Sequence, residues 1–226
     1  MKIKERCYST KVIRPRPLVH LEPDGSLLVI ANSWGQPEQA QNAMNEVVKY
    51  INGAKSDVEV TSPFEFLTCL SDEVNYARTG ILVANEILYR GSNRNQYFSG
   101  VEILALFRRG NQVAWAQVGC SSIYLQRNQQ RLQPLSVCQD LSGELGEVGG
   151  SLPPLPGQLM GLEMSCNVQC GSTVIRSGDQ IILLSSSFIS QALWSNDTGR
   201  LDLVEVTKLM IQDSPDSPFW LGIVEL

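Results

Sequence analysis

"YFSGVEILALFRRGNQVAWAQVGCSSIYLQRNQQRLQPLS", residues 97–136, is the stretch whose reading decides the fold. It holds four short apolar or alternating runs. They are split by "RRGN", "GCSS" and "RNQQ", which are rich in turn-forming residues. Runs of this length between short polar breaks predict an antiparallel meander with hairpin-type connections.

Upstream, "GSLLVIANSWG" (25–35) is an apolar run from Leu27 to Ala31, opened by "PDG" and closed by polar residues and Gly35. It predicts a buried strand. "PLVHLEPDG" (17–25) places His20, the single histidine, in an earlier strand, as a strand residue rather than a general base. In "QPEQAQNAMNEVVKYINGA" (36–54), Ala40, Ala43, Met44, Val47, Val48 and Ile51 recur at helical spacing, with Pro37 early and Gly53 late. "SPFEFLTCLSDEVNYARTGILVANEILYRG" (62–91) predicts a longer helix. Ser62 reads as its N-cap, Pro63 as its first residue and Glu65 as the capping-box acid. Its stripe of Leu67, Leu70, Val74, Ala77, Ile81, Ala84 and Leu88 reads as core contact.

Downstream, residues 136–160 predict a long irregular loop. "LSGELGEVGGSLPPLPGQ" (141–158) has no period, and "LPPLPG" is apolar and poor in charge, the composition of an exposed docking segment. Strands are expected at "GSTVIRS" and "DQIILLS" with "GD" at the turn between them, short helices at "SSSFISQALWS" and "RLDLVEVTKLMIQD", and a last strand at "FWLGIVEL". Helices segregated from a mainly antiparallel sheet define an α+β layered class. No repeat and no linker interrupts the chain, so residues 1–226 read as a single domain.

Composition narrows the function. A net charge of -5 and only two short basic clusters, "RPRP" and "RRG", argue against nucleic acid. No apolar stretch approaches membrane-spanning length, and "MKIKERCYSTKVIRPRP" lacks the apolar core of a secretory signal. A cytoplasmic protein with free thiols is the expectation for Cys7, Cys69, Cys120, Cys138, Cys166 and Cys170. Cys166 and Cys170 have no second pair to complete a zinc site. No phosphate-binding Gly-rich loop, dinucleotide fingerprint or nucleophile elbow is present.

The order and punctuation of these segments resemble the metal-dependent (PPM, type-2C) serine/threonine protein phosphatases over nearly the whole chain. Residues 25–51 resemble that family's strand, Asp-Gly-x-Gly-Gly turn and helix. Residues 98–136 resemble its central meander, with Gly119, Tyr124, Leu125 and Arg127 at matching places. Residues 159–189 match through Gly178, Asp179 and Ser185, and "DSPDSPFWLGIVEL" resembles the last turn and strand. The resemblance implies a four-layer αββα sandwich of two antiparallel sheets flanked by helix pairs. It also implies a catalytic pair of manganese or magnesium ions held by carboxylates, with a bridging water that attacks the phosphoryl group.

The carboxylates of that pattern are replaced here. The Asp-Gly turn reads Asn32-Ser33, and the Asp and Arg of Gly-Asp-Ser-Arg read Cys120 and Ser122. Ser-Asp-Gly ends in Ser186-Ser187, and of the last pair only Asp216 is acidic, followed by Ser217. "RPRPL" contains no acid, and Arg14 or Arg16 stands nearest to the family's phosphate-binding arginine. Neutral Asn and Ser are weak ligands for these cations and Cys is a mismatched one. The reading is therefore a pseudophosphatase without metal or other cofactor. It would act by binding a protein partner in signalling, a kinase for example. Two alternatives stand. One is an active phosphatase with shifted ligands among Asp72, Glu73, Asp140 and Asp213. The other is an unrelated αββα-layered hydrolase with a processed nucleophile near Cys7 or Ser9. A reactive Cys120 would need a base or a cation beside it to lower its pKa, and the sequence names neither.

Overall fold

The computed structural model describes residues 1–10, 15–56, 62–91, 93–128, 130–137, 140–142, 154–186, 188–195 and 199–226. In chain order the elements begin with β1 (Lys2–Tyr8), β2 (Leu18–Leu21), β3 (Leu27–Trp34), α1 (Glu38–Ser56) and α2 (Asp72–Arg90). β4 (Gly100–Arg109), β5 (Gln112–Val118), β6 (Ser122–Gln126) and β7 (Gln133–Ser136) follow. The chain ends with β8 (Gln169–Val174), β9 (Gln180–Ser185), α3 (Gln191–Ser195), α4 (Leu203–Asp213) and β10 (Phe219–Glu225). The class is α+β, with two five-stranded antiparallel sheets and four helices among the described residues.

The chain forms two compact units. One comprises Met1–Arg16, Cys120–Gly157 and Ile175–Leu226 and carries the sheet β1-β10-β9-β6-β7 with α3 and α4. The other comprises Pro17–Gly119 and Gln158–Val174 and carries β2-β3-β4-β5-β8 with α1 and α2. In the latter, Leu27, Val29 and Ala31 of β3 meet Ala43, Val47, Ala77 and Ile81 of the two helices in one apolar cluster. Leu28 and Ile30, on the alternate face of β3, are buried as well, so the strand reads as a continuous apolar run. In the former, Val206 and Met210 of α4 pack with Phe219, Leu221 and Ile223 of β10.

β1 was not anticipated. "KIKERCY" is mostly exposed and polar, and it is a strand because it pairs along its whole length with β10, from Lys2 opposite Glu225 to Tyr8 opposite Phe219. Two side-chain contacts pin it: Trp220 Nε1 donates to Glu5 Oε2 at 2.7 Å, and Lys4 Nζ lies 3.1 Å from Glu225 Oε1.

The meander is the main correction. Its four strands exist, but β5 pairs with β4 and β8, whereas β6 pairs with β7 and β9. "GCSS" is thus the passage from one sheet to the other, not a hairpin. The "GD" turn likewise separates β8 from β9, which lie in different sheets. Alternation of apolar and polar residues fixes a strand, not its partner.

The second helix starts at Asp72, nine residues later than "SPFE" suggests, with Ser71 as N-cap accepting from Val74 N. Ser62 instead closes a local turn on Phe64, whose amide donates to Ser62 Oγ at 3.2 Å. The buried Asn75 then ties down the preceding segment: Leu67 N donates to Asn75 Oδ1 at 2.9 Å, and Asn75 Nδ2 donates to Leu67 O at 3.0 Å. Gly53 does not stop α1, which runs to Ser56.

Of the 136–160 loop, residues 138–139 and 143–153 lie outside the described residues. Where "LPPLPG" is described, Pro154 is buried and Leu155 and Pro156 are half-buried, so that part is not the exposed apolar segment expected. The far end of the loop is anchored: Met160 is fully buried and bridges to Val101. Cys7, Cys69, Cys120, Cys166 and Cys170 are free thiols, and Cys138 lies outside the described residues. Burial pushes the Cys166 thiol up to about 11. No helix among the described residues is long and apolar enough to cross a membrane.

Candidate functional site

In the unit built on β3 and β4, the register brings Asn32 opposite Glu102 and Ile103 opposite Val118. The end of β3, the start of β4 and the end of β5 therefore share one end of the sheet. Glu102 is the acid of this end, and it interrupts the otherwise apolar "GVEILALF". It is buried, with 7% of its surface exposed. Trp34 Nε1 donates to its Oε1 at 2.6 Å, and Asn32 Nδ2 donates to the same oxygen at 3.4 Å. A buried carboxylate needs such donors, since leaving it unsatisfied costs several kcal/mol (on the order of 3 or more).

The backbone around Glu102 is shaped to admit it. Gly119 has φ +115°, and a Cβ there would stand 2.6 Å from Glu102 Cγ. Gly35, at φ +122°, closes the β3–α1 turn where a Cβ would stand 2.5 Å from Phe98 O. Ser33 lies in the same turn. Its hydroxyl donates to Gln36 O and lies 3.0 Å from Ser99 Oγ. The fully engaged Asn93 braces Ser99: its Nδ2 donates to Ser99 O at 2.8 Å and Gly161 O at 2.7 Å, and its Oδ1 accepts from Phe98 N and Ser99 N.

In the other unit, Ser122 faces Leu184 and Trp220 faces Ser185. Cys120, Ser186 and Asp216 thus fall at one end of that sheet, by the start of β6, the end of β9 and the start of β10. Cys120 is fully buried, which takes its thiol out of reach of solvent. Ser186 is 8% exposed, and its Oγ accepts from Phe188 N at 3.2 Å. Asp216 is exposed, while Ser217 is buried and shares a 2.6 Å hydrogen bond with Ser214. Arg16 is exposed, and Arg14 and Ser187 lie outside the described residues.

Arg127 and Asp179, two positions that match the family pattern, stand at the opposite end of the same sheet. Arg127 Nε lies 3.2 Å from Asp179 Oδ2, which also accepts from Arg176 N at 2.9 Å. Asp179 is 4% exposed on its side chain and Arg127 19%, so the pair is largely withdrawn from solvent.

These residues do not fit a pair of hard divalent cations. Such ions need oxygen ligands carrying negative charge. Asn32 presents a donor, Ser33 and Ser186 are engaged with backbone groups, and Cys120 is a buried thiol. Among the described residues, no three His, Cys, Asp or Glu side chains gather as a metal would require. The shifted acids are occupied too. Glu73 pairs with Arg109 at 3.2 Å, Asp140 accepts from Ser142 and Leu155 amides, and Asp213 accepts from Ser190 Oγ. Asp72 opens α2. Glu102 is the residue of this end that the motif comparison missed. A lone acid within an apolar strand was the available signal.

The fold is that of the PPM-type serine/threonine phosphatases. Solved structures with it include the Mycobacterium tuberculosis serine/threonine phosphatase PstP/Ppp, at 14% identity and TM-score 0.66, with 100% of this chain and 98% of that one covered. The PPM phosphatase MsPP of Mycobacterium smegmatis gives 11% identity and TM-score 0.67 over the same shares. PppA of Pseudomonas aeruginosa, described as a key regulatory component of T6SS, gives 17% identity and TM-score 0.64, again covering 100% and 98%. No family model and no curated protein matches the sequence.

Proposed function

We propose that this chain is a pseudophosphatase: a PPM-type fold that carries no catalytic metal pair and serves as a protein-binding, regulatory module in signalling. The observation that carries this reading is the Asn32–Glu102 contact. At the place where the resembled family has a metal-ligating carboxylate, this chain has an amide that donates a hydrogen bond to an internal acid. The amide oxygen left to Asn32 is neutral, and a neutral oxygen supplies none of the negative charge that a pair of hard cations demands. Hydrolysis in such folds depends on a metal-activated water, so losing the ligands removes the chemistry rather than weakening it.

The partner is a protein, with a kinase or another signalling component as the class that fits a retained phosphatase scaffold. A fold persists when its site is lost because its stability resides in the apolar clusters of the two units, which the site residues do not build. The test is hydrolysis of an aryl phosphate by the full chain with millimolar manganese, together with a calorimetric manganese titration. Turnover equal to the buffer blank and no saturable heat are the expected results. Robust manganese-dependent turnover overturns the reading.

A further inference from the structure

A second concave site lies at the other end of the β2-β3-β4-β5-β8 sheet. Leu27 faces Phe107 there, five residues along β3 from Asn32, or about 17 Å at strand rise. Asp24 and Ser26 of the β2–β3 turn, Lys55 of the last turn of α1, Asp72 and Tyr76 of α2, and Phe107, Arg108 and Arg109 of β4 line a cleft of about 480 Å³. Neither the fold's core nor the degenerate site accounts for it.

We propose that this cleft binds a single phosphate monoester group. The cations carry the argument. Arg109 is paired with Glu73 at 3.2 Å, but neither Lys55 nor Arg108 has a carboxylate oxygen within 4.0 Å among the described residues. Lys55 Nζ is held in place by Ser26 Oγ at 2.7 Å and by the Phe107 ring, 5.0 Å from its centroid. An ammonium has three donors, and this arrangement leaves others to offer. Arg108 uses its Nε on Gly110 O at 3.3 Å, which leaves the terminal amino groups of the guanidinium for a ligand. An exposed ammonium, oriented by Ser26 and Phe107 and also acting on Asp24 and Glu22, and a guanidinium fork in one concavity suit a dianionic phosphate, which takes charge-assisted hydrogen bonds from both.

The carboxylates of the cleft limit the ligand rather than exclude it. Asp24 is engaged by its own turn, accepting from Ser26 N at 2.8 Å. Asp72 lies in the first turn of α2, where the helix dipole offsets its charge. With these two acids on the lining, one phosphate group is accommodated and a polyphosphate is disfavoured. Tyr76 and Phe107 add aromatic surface for the carrier, which a free anion would not use. Burial, and then the charge of Asp72, push the Tyr76 phenol up, so it stays a neutral donor at pH 7. This inference does not rest on the absence of catalysis, since it concerns the far end of the sheet.

The experiment is calorimetric titration of the full chain at low ionic strength with phenyl phosphate, a phosphoserine peptide, its unphosphorylated form and inorganic phosphate. Saturable binding of the esters is expected, weakened by salt and weakened about tenfold by Arg108→Ala and by Lys55→Met, which keeps the packing on Phe107. Melting temperatures of both variants verify that they fold. If one variant does not, the other decides. A phosphopeptide tighter than phenyl phosphate assigns a modified protein as the source, and the reverse assigns a small ester. No saturable heat with any ester overturns the proposal. So does equal affinity for the unphosphorylated peptide, or binding that Asn32→Ala abolishes while Arg108→Ala leaves it intact.

Discussion

Two buried carboxylates of this molecule draw on different donors. Asp179 meets a cation, the Arg127 guanidinium, and a turn amide. An indole and a side-chain amide are among the donors to Glu102. The first arrangement lies at positions where the chain matches the phosphatase pattern, and the second where it departs from it. The contrast teaches that a turn of the scaffold and the strand ends of the candidate site are held by separate means. The ion pair closes the turn that leads into β9. The Trp34–Glu102–Asn32 network occupies strand ends that charge would otherwise force apart or oblige to bind a cation.

The largest expected effect breaks the first member. Asp179→Ala takes this carboxylate from the half-buried Arg127 guanidinium and its acceptor from Arg176 N, and should cost about 3–5 kcal/mol in urea-induced unfolding. A loss under 1 kcal/mol would show that the pair is no stronger than a surface contact. Next, Gly119→Ala strikes the second member twice, through an unfavourable positive φ and through contact with the Glu102 side chain. A destabilisation of about 2–4 kcal/mol is expected. Adding Glu102→Ala should recover the steric part alone, which a double-mutant cycle measures.

Asn32→Asp sharpens the comparison by converting the neutral contact into two facing carboxylates. It should destabilise by about 1–3 kcal/mol at pH 8. The pair shares one site, so one carboxyl is raised in the folded state. The penalty is then absent below the unfolded value and grows as pH rises through the folded one. Chemical denaturation at pH 4.5 and pH 8 checks this, and an equal penalty at both overturns it.

The smallest effect concerns the half-buried acids. Asn52's amide bond to Glu22 and the Lys4 and Arg200 bonds to Glu225 hold both carboxyls below the ordinary glutamate value. At Glu73 burial pulls upward, but its backbone bond and those from Ser71 and Arg109 prevail, and its carboxyl is lowered as well. Lowered carboxyls contribute stability above their unfolded values and lose it as pH falls through the folded ones. A shallow decline in melting temperature beginning below about pH 4.5 is the expected profile.

The sequence revealed apolar structure better than polar structure. β3, α1 and β10 announce themselves through Leu27–Ala31, the Ala40-to-Ile51 stripe and "FWLGIVEL", where burial imposes a pattern. β1 has no such pattern, because its stability comes from backbone pairing with β10. "SPFE" carries the capping-box pattern, yet the helix starts at Asp72, and Asn75 binds the Leu67 backbone ahead of it. Partner choice at "GCSS" is equally nonlocal. Within the candidate site, Asn32, Cys120 and Ser186 stood out against the motifs of the resembled family. Glu102 was legible only as a lone acid in an apolar strand, because its contact with Asn32 depends on the strand opposite.

The polar character of β1 carries a further consequence for how the chain behaves among its own copies. As the outermost strand of its sheet, it presents a row of backbone groups that another strand could zip onto. Lys2, Lys4, Glu5 and Arg6 set four charged side chains along that border. A newly made copy approaching this border would have to strip water from them before forming a single intermolecular rung. The same residues that hid the strand from a hydrophobic reading therefore guard against fibre-like growth in a crowded solution.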